Sequence, residues 1–199
     1  MASRSVPYAE LLEQAKQSGR LPEEHLRAIL PDVFLAAYLD MTPRQTNVIV
    51  MTSGTFDYVY DNYAELVSTG VVEPDDITES RLVCAVGISR RNTARRDDGR
   101  LRGWVGPTGA TFGTGWDKGH FIAHTIGGAV DGLEMNVFLQ RRSVNRGGYR
   151  RLERYCAANP GVLCFSRPIY SDRSAVPSEV EFGVLRPDGM FDLEIFANR

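Results

Sequence analysis

Features that mark a membrane or secreted protein are missing from this sequence. No run of about 18 apolar residues is present, so no segment is long enough to span a bilayer as a helix. The N-terminus passes directly into a polar helical pattern, without the apolar stretch and small-residue cleavage site of a secretory signal peptide. We therefore expect no membrane partner, and either a cytoplasmic location or export by a route without a cleavable signal peptide.

Cysteine is also scarce, since Cys84, Cys156 and Cys164 are the three examples in 199 residues. An odd number of cysteines in a chain without a signal peptide favours free, buried thiols over a disulfide framework. A bridge between Cys156 and Cys164, closing a short loop, is the alternative. The chain is long enough to bury a core without cross-links.

The net charge of −2 conceals a division of charge along the chain. Residues 1–80 hold 5 Lys and Arg against 13 Asp and Glu, whereas residues 81–199 hold 18 against 12. We therefore divide the chain into an acidic, mainly helical N-terminal segment, 1–78, and a second domain, 79–199. The acidic segment is a candidate surface for a protein partner or an inhibitor.

Arginine is concentrated in two stretches of the second domain, 81–118 and 141–155, and residues 119–140 between them contain no Lys or Arg. A single run of this kind is typical of a solvated surface. Two runs flanking a histidine motif favour a surface that binds phosphate groups, and hence DNA and RNA. The arginines that we assign to this surface are Arg95, Arg96, Arg100, Arg102, Arg146 and Arg150.

The spacing of apolar residues predicts an α+β fold. In the first 70 residues it predicts helices over 8–15, from Pro22 to just before Pro31, and along an apolar stripe from Phe56 to Val67. The apolar run 82–88 has the length of a strand. Alternation on both sides of the turn at 187–189 predicts a hairpin.

Residues suited to catalysis lie between Gly115 and Glu153. Hydrolysis of a phosphodiester needs a base that takes a proton from water and a cation that neutralises charge on the phosphorus oxygens. His120 is the candidate base, because histidine has an ordinary pKa of about 6.5. Asn145 and Glu153 offer oxygen ligands for Mg²⁺ (or Mn²⁺), a cation that keeps several of its waters.

Helical spacing predicts how these ligands are arranged. Asn145, Tyr149 and Glu153 recur at i, i+4 and i+8, which places them on one face of a helix that we expect to begin near Ser143. Nine residues separate Asn136 from Asn145, which on a continuous helix is a rotation of about 180°. We therefore expect Asn136 and Gln140 to lie on a loop before the helix.

The order and spacing of these residues resemble the DNA/RNA non-specific endonuclease family of ββα-metal nucleases. The hallmark of that family is Asp-Arg-Gly-His. Here Asp-Lys-Gly-His at 117–120 is followed by Asn-x-x-x-Gln at 136–140 and Asn-x-Gly-x-Tyr-x-x-x-Glu at 145–153. The resemblance covers about residues 81–199. It implies a ββα-metal core, made of two antiparallel strands and a helix around one divalent ion, inside a mixed or antiparallel sheet with flanking helices.

The resemblance also implies an activity and a role for each motif residue. The activity is endonucleolytic cleavage of DNA and RNA with little sequence preference, leaving 5′-phosphate ends. His120 would be the general base, Asn145 the direct metal ligand, and Glu153 a ligand through water. Asp117 and Gly119 would shape the turn that aims His120.

The other motif residues have supporting roles in this comparison. Asn136 and Gln140 would support the site near the scissile bond. Lys118 replaces the arginine of the family, so it would face phosphate as a point charge without a planar fork. A further arginine near the scissile phosphate should come from the loop 90–102, in which several arginines compete for the role.

Three alternative interpretations remain at this stage. His120 and His124, at i and i+4, would pair on zinc if they lay on a helix, but Phe121 stands where the glutamate of His-Glu-x-x-His would be. The chain is, in a second interpretation, a nucleic-acid-binding or regulatory protein with a lapsed nuclease site, for which Lys118 is the hint. The division of charge suggests a third, in which the nuclease acts as a toxin or defence effector.

Overall fold

The structure, a computed structural model, describes residues 5–73, 79–94, 115–129 and 134–199. The strands in these ranges are β1 (Val48–Ser53), β2 (Phe56–Asp61), β3 (Arg81–Ile88), β4 (Trp116–His120), β5 (Val137–Arg141), β6 (Leu163–Ile169), β7 (Glu179–Leu185) and β8 (Phe191–Ala197). Six of them form one antiparallel sheet in the order β1-β2-β3-β6-β7-β8. β4 and β5 form a separate antiparallel pair.

The α-helices of the described residues are α1 (Tyr8–Gln17), α2 (Pro22–Met41), α3 (Tyr63–Ser68), α4 (Arg142–Arg146) and α5 (Gly148–Ala158). α1 packs against α2, and α2 lies against β3 and β6. None of the helices in the described ranges has the length and apolar character needed to cross a membrane. The prediction of an α+β fold with an antiparallel sheet and flanking helices is confirmed.

The six-stranded sheet separates two apolar clusters. Successive side chains of a strand point to opposite faces, so one strand contributes to both clusters. The cluster on the α2 face, which we call the α2 cluster, includes Leu26, Leu30, Phe34, Val86 and Phe165. The cluster on the other face, which we call the α5 cluster, includes Phe121, Phe138, Tyr149, Leu152 and Phe182.

The motif residues lie on the long connection between two neighbouring strands, residues 89–162, which we call the excursion. β3 and β6 are hydrogen-bonded neighbours, with Ala85 opposite Ser166, although the chain between them also forms β4, β5, α4 and α5. The excursion folds back on the sheet through the α5 cluster. The β4-β5-α5 unit is therefore held on a rigid platform.

Two helix predictions in the first 70 residues are wrong. α2 does not end before Pro31 but continues through it to Met41. Phe56–Asp61 is a strand, because Gly54, at φ +61°, allows the tight turn that returns the chain beside β1. Only Tyr63–Ser68 of the predicted stripe is helical.

The sheet crosses the boundary that the charge division predicts between residues 78 and 79. β2 pairs with β3 from Phe56 opposite Gly87 to Asp61 opposite Arg81. Gly87 permits this close approach, since a Cβ atom there would overlap the backbone of β2. The described part of the acidic segment therefore shares one sheet with the rest of the chain.

The other expectations about secondary structure and cysteine have clear outcomes. The run 82–88 lies in β3, and β7 and β8 form the predicted hairpin, with Gly189 in its turn at φ +80°. The three cysteines are free and buried, as expected. Four of the arginines assigned to a phosphate-binding surface lie outside the described residues, namely Arg95, Arg96, Arg100 and Arg102.

Candidate active site

The Asp-Lys-Gly-His motif forms most of β4. The register of β4 with β5 sets Asp117 opposite Gln140 and His120 opposite Val137. Gly119 is required at its position, because a Cβ atom there would overlap the side chain of Gln140. His120 is thus the last residue of a strand that a partner strand holds in place.

Asn136 and Gln140 do not lie on a loop before the helix, so that prediction is wrong. Gln140 is part of β5, and Asn136 ends a 3₁₀ turn directly before it. Both side chains are fully buried. Their backbone is hydrogen-bonded to β4 or to the residue after it, which leaves no free loop at this point of the chain.

Asn136 fixes the backbone that follows His120. Its Oδ1 accepts from the backbone N–H of Ile122 at 2.9 Å, and its Nδ2 donates to the carbonyl oxygens of Ile122 at 2.9 Å and Ala129 at 2.6 Å. Breaking a buried network of this kind is costly, because each unpaired group loses its hydrogen bond in a low dielectric. Asn136 therefore supports the site from inside the protein.

The helix predicted from Ser143 to Glu153 is broken into two. α4 begins at Arg142, directly after β5, and ends at Arg146. Gly147, at φ −101° and ψ −120°, leaves the helical conformation, and α5 begins at Gly148. A Cβ atom at Gly147 would lie 2.5 Å from the carbonyl oxygen of Ser143, so the break needs a glycine.

α5 is oriented by the side chains that it buries. Tyr149, Leu152 and Cys156 recur at helical spacing and are fully buried in the α5 cluster. The Tyr149 hydroxyl donates to the carbonyl oxygen of Phe121 at 2.7 Å and lies 2.8 Å from the Ser166 Oγ. Arg150, Glu153 and Arg154, which flank this buried face, line one cleft together with His120.

His120, Asn145 and Glu153 meet in one cleft of about 820 Å³. The cleft lies between β4, the 3₁₀ turn His124–Ile126, α4 and α5. Its basic side chains, apart from the histidines, are Lys118, Arg146, Arg150 and Arg154. The structure therefore brings together the residues that the spacing put on one face, although one helix does not carry them.

Asp117 organises the wall of this cleft. Its carboxylate accepts hydrogen bonds from Nε of Arg142 at 3.1 Å, Nδ2 of Asn145 at 3.2 Å and Nε of Arg146 at 2.9 Å. Burial alone would raise the pKa of this carboxyl, but the bonds from the two arginines and the amide hold it below its ordinary value. Because Asn145 donates through Nδ2, its Oδ1 is the atom left for a cation.

The pKa of Glu153 is shifted in the opposite direction to that of Asp117. Burial raises the pKa of its carboxyl to about 7, and the positive charge of Arg150 offsets this in part. No hydrogen bond reaches Glu153 within the described part of the chain. A cation in the cleft would supply the missing partner and favour the ionised carboxylate.

The donor set fits a cation that prefers oxygen. Among the described residues, no group of three or more His, Cys, Asp and Glu side chains is arranged to hold a metal. One amide oxygen and one carboxylate, with water completing the shell, suit Mg²⁺. His120 and His124 do not lie on one helix, as their pairing on zinc would require, because His120 ends a strand and His124 begins a 3₁₀ turn. Nε2 of His124 lies 3.1 Å from Nδ2 of Asn92.

Sequence reasoning missed two residues, one on the wall of the cleft and one that pairs with Asp117. Arg154 lies on the wall one helical turn after Arg150, and this i+4 spacing on α5 was the available signal. Arg142 pairs with Asp117 across 25 residues of sequence. That pair depends on the β4–β5 register, which the sequence alone does not provide.

One cleft beside β4 and α5 contains a histidine, an amide, a carboxylate and several basic side chains, a combination that suits hydrolysis of a phosphodiester. Residues 86–184 match the family described as DNA/RNA non-specific endonuclease. Through this domain the chain belongs to that family, and it is an endonuclease. α1, α2 and the β1–β2 hairpin lie outside the matched residues.

Two solved structures are similar to the chain. One is Sda1 nuclease with a bound zinc ion, which is 17% identical, with 76% of this chain and 73% of that chain covered and a TM-score of 0.38. The other is an extracellular endonuclease, which is 14% identical, with 77% and 69% covered and a TM-score of 0.32. No curated protein sequence matches the chain at a significant level.

Proposed function

We propose that this endonuclease hydrolyses phosphodiester bonds of both DNA and RNA, depends on a divalent metal, has little sequence preference and leaves 5′-phosphate ends. The observation that carries the proposal is the meeting of His120, Asn145 and Glu153 in one cleft. Basic side chains line the same cleft and suit the phosphate backbone that DNA and RNA share.

His120 acts as the general base. It lies at the end of β4, and the residues directly after it are held by Asn136 and by the Tyr149 hydroxyl. This support keeps the imidazole at a fixed position in the cleft, where it takes a proton from the attacking water. A positioned base of this kind contributes roughly 10²–10⁴-fold to the rate.

Asn145 and Glu153 hold the metal. Asn145 would hold Mg²⁺ (or Mn²⁺) through Oδ1, and Glu153 would hold it through water. When bound, the cation neutralises charge on the phosphate oxygens and on the departing alkoxide. The fit rests on the amide that Asp117 orients and on the carboxylate of Glu153, which accepts no hydrogen bond in the described ranges.

Lys118, Arg146, Arg150 and Arg154 bind the phosphates on either side of the scissile bond. Their charged groups meet the backbone and not the edges of the bases, so they carry no sequence information. This explains a low sequence preference. Lys118 supplies charge without the bidentate geometry of an arginine.

The acidic segment does not act as a cover for this cleft in the described part of the chain. α1 and α2 pack on the α2 cluster, on the other face of the sheet. A protein partner or inhibitor that binds the acidic segment, a role as a toxin or defence effector, and the location of the protein stay predictions that rest on sequence.

The activity is tested with supercoiled plasmid and structured RNA, each incubated with Mg²⁺ or with EDTA. We expect both substrates to be cleaved with Mg²⁺ and neither with EDTA. His120→Ala should lower turnover by roughly 10²–10⁴-fold with unchanged circular dichroism, because the base is lost and the fold is not. His25→Ala on α2, far from the cleft, is the matched control and should retain full activity.

Two outcomes would contradict the proposal. Full activity of His120→Ala would remove His120 from the mechanism. Binding of both nucleic acids by the wild type, without cleavage at any metal concentration, would favour the lapsed-site hypothesis.

A further inference from the structure

A second cavity lies on the face of the sheet opposite the cleft. It has a volume of about 340 Å³ and is bounded by α2, the residues after it, the start of β3 and the end of β6. Phe34 and Val83 on its wall belong to the α2 cluster, whereas the residues behind the cleft belong to the α5 cluster. The arginines on its wall are Arg44, Arg81, Arg167 and Arg173.

Two of these arginines are neutralised by buried carboxylates. Nη2 of Arg44 donates to Asp61 at 2.6 Å, and Asp61 is fully buried. Nε of Arg167 donates to Glu181 at 2.5 Å, and both side chains are almost fully buried. The charges of these two guanidinium groups are therefore balanced by carboxylates without a ligand.

Arg81 is different. It is 4% exposed, its guanidinium lies 4.8 Å from the centre of the Tyr170 ring, and its Nε has no hydrogen-bond partner in the described ranges. No carboxylate of the described residues forms an ion pair with it. Asp61, whose charge acts on Arg81, is paired with Arg44, and Asp172 on the cavity wall is paired with Arg199. A buried charge of this kind is costly unless an anion completes it.

The lining indicates the chemistry of that anion. Arg44 and Arg167 on the wall are paired with Asp61 and Glu181, and Asp172 is paired with Arg199. Arg81 adds a buried positive charge to this wall, so the cavity favours a negatively charged ligand. A phosphate monoester carries a charge of about −1.5 to −2 at neutral pH, and its oxygens match the planar fork of arginine. Apolar residues provide a surface for the rest of the molecule, namely Phe34, Ala37, Met41, Val83, Ile169 and Tyr170.

We infer that this cavity binds a small phosphate monoester of the size of a nucleoside monophosphate, with Arg81 as the residue that holds the phosphate. The volume is at the lower end of the roughly 300–1,000 Å³ typical of small-molecule sites, which suits one nucleotide and not a longer strand. The inference is independent of the catalytic cleft, because the two sites share no residue.

The test uses the full chain in EDTA, so that no metal in the cleft contributes to binding. Adenosine monophosphate, inorganic phosphate and adenosine are titrated separately, by calorimetry and by thermal unfolding. We expect the monophosphate to bind and raise the melting temperature, because a ligand that binds only the folded state stabilises it. Inorganic phosphate should bind more weakly, and adenosine should give no shift.

Three variants locate the site. Arg81→Gln should weaken binding of the monophosphate at least about tenfold, since hydrogen bonds to charged groups contribute about 1.5–3 kcal/mol. Ala37→Phe keeps Arg81 but fills the cavity, and should abolish the shift even if Arg81→Gln fails to fold. Arg150→Ala, on the wall of the cleft, should bind the monophosphate as the wild type does.

Each contrary result would overturn the inference. No binding of the monophosphate to the wild type would remove the site. Loss of binding in Arg150→Ala, with retention in Arg81→Gln or Ala37→Phe, would assign the ligand to the cleft. Inorganic phosphate that bound as tightly as the monophosphate would exclude a monoester site.

Discussion

At the scale of single residues, Asp117 determines how the cleft is arranged. It is a positioning residue, because its carboxylate holds Arg142, Asn145 and Arg146 and is not itself assigned to the metal. It also fixes the orientation of the Asn145 amide, because Nδ2 donates to Asp117 and Oδ1 is left to accept or to bind a cation.

Asp117→Asn tests this role. The substituted amide accepts through one oxygen only and turns an NH₂ group toward three donors, so Asn145 should lose its fixed orientation. Outer partners of metal ligands typically change metal affinity by about 10–100-fold when they are replaced. We expect the Mg²⁺ concentration for half-maximal cleavage to rise by that factor. Asp40→Asn, on the exposed side of α2, is the matched control, and an unchanged Mg²⁺ requirement in Asp117→Asn would refute the role.

The residues that we propose for chemical roles could be selected from the sequence, but the contacts that position them could not be predicted. His120, Asn145 and Glu153 have side chains whose chemistry is visible in a motif. The partners of Asp117 follow it by 25 to 29 residues, and they reach it because β5 pairs with β4 and α4 starts without a loop. Pairing of this kind depends on tertiary structure.

At the scale of elements, α5 carries part of the cleft and is anchored by Tyr149. Its hydroxyl links the helix to the backbone after His120 and to Ser166 on β6. The helix is therefore tied to both the catalytic strand pair and the sheet. Movement of α5 would shift Glu153 relative to His120.

Tyr149→Phe should lower the free energy of unfolding by about 1–3 kcal/mol. The ring still fills its place, but the carbonyl oxygen of Phe121 and the hydroxyl of Ser166 lose a buried partner. Urea denaturation monitored by circular dichroism measures the change. Tyr155→Phe, on a half-buried position of the same helix, should change stability by less than about 0.5 kcal/mol. Equal stability of the two variants would contradict the anchoring role.

The sequence predicted the strands whose burial pattern is simple, and it did not predict β2 or the full length of α2. β3 is a continuous apolar run and β7–β8 alternate, so both were recognised. β2 is buried on both faces, which removes the alternation and leaves apolar residues at helical spacing. α2 tolerates Pro31, although proline costs a helix about 3 kcal/mol, because the residues around it are buried against the sheet.

At the scale of the whole molecule, the cleft is basic and should bind nucleic acid through charge. Each phosphate that a protein neutralises contributes roughly −0.9 to the slope of log affinity against log salt. With His120→Ala in EDTA, to prevent cleavage, we expect a steep loss of duplex DNA binding as salt rises. Adding Arg150→Ala should make the slope shallower by roughly 0.9, as measured by fluorescence anisotropy.

The control for this measurement is Arg20→Ala, which removes an exposed arginine from the acidic segment. Its slope should equal that of the parent. A slope that did not depend on Arg150 would exclude this residue from the nucleic-acid surface, and a flat dependence in the parent would exclude the surface itself.

The N-terminal helices are part of the fold of the whole molecule. Leu26, Leu30 and Phe34 are fully buried on the sheet, and burial of each side chain contributes about 1.5–3 kcal/mol. Their sum is comparable to the net stability of a typical domain, about 5–15 kcal/mol. Deleting residues 1–46 should therefore abolish cooperative thermal unfolding and, with it, cleavage. A truncated chain that folded and cleaved faster would identify the helices as a detachable inhibitor.

The excursion between β3 and β6 has a consequence for synthesis of the protein. The two strands pair although most of the catalytic residues lie between them in sequence, and such distant pairing forms slowly because a long loop must close first. Ser166, to which Tyr149 is linked, is on the later strand. While the chain is still on the ribosome, α5 can pack on β2 and β3 but lacks Ser166 and its other contacts on β6 until β6 has emerged. The nascent chain thus carries its catalytic residues for some time before it acquires the ability to cut nucleic acid.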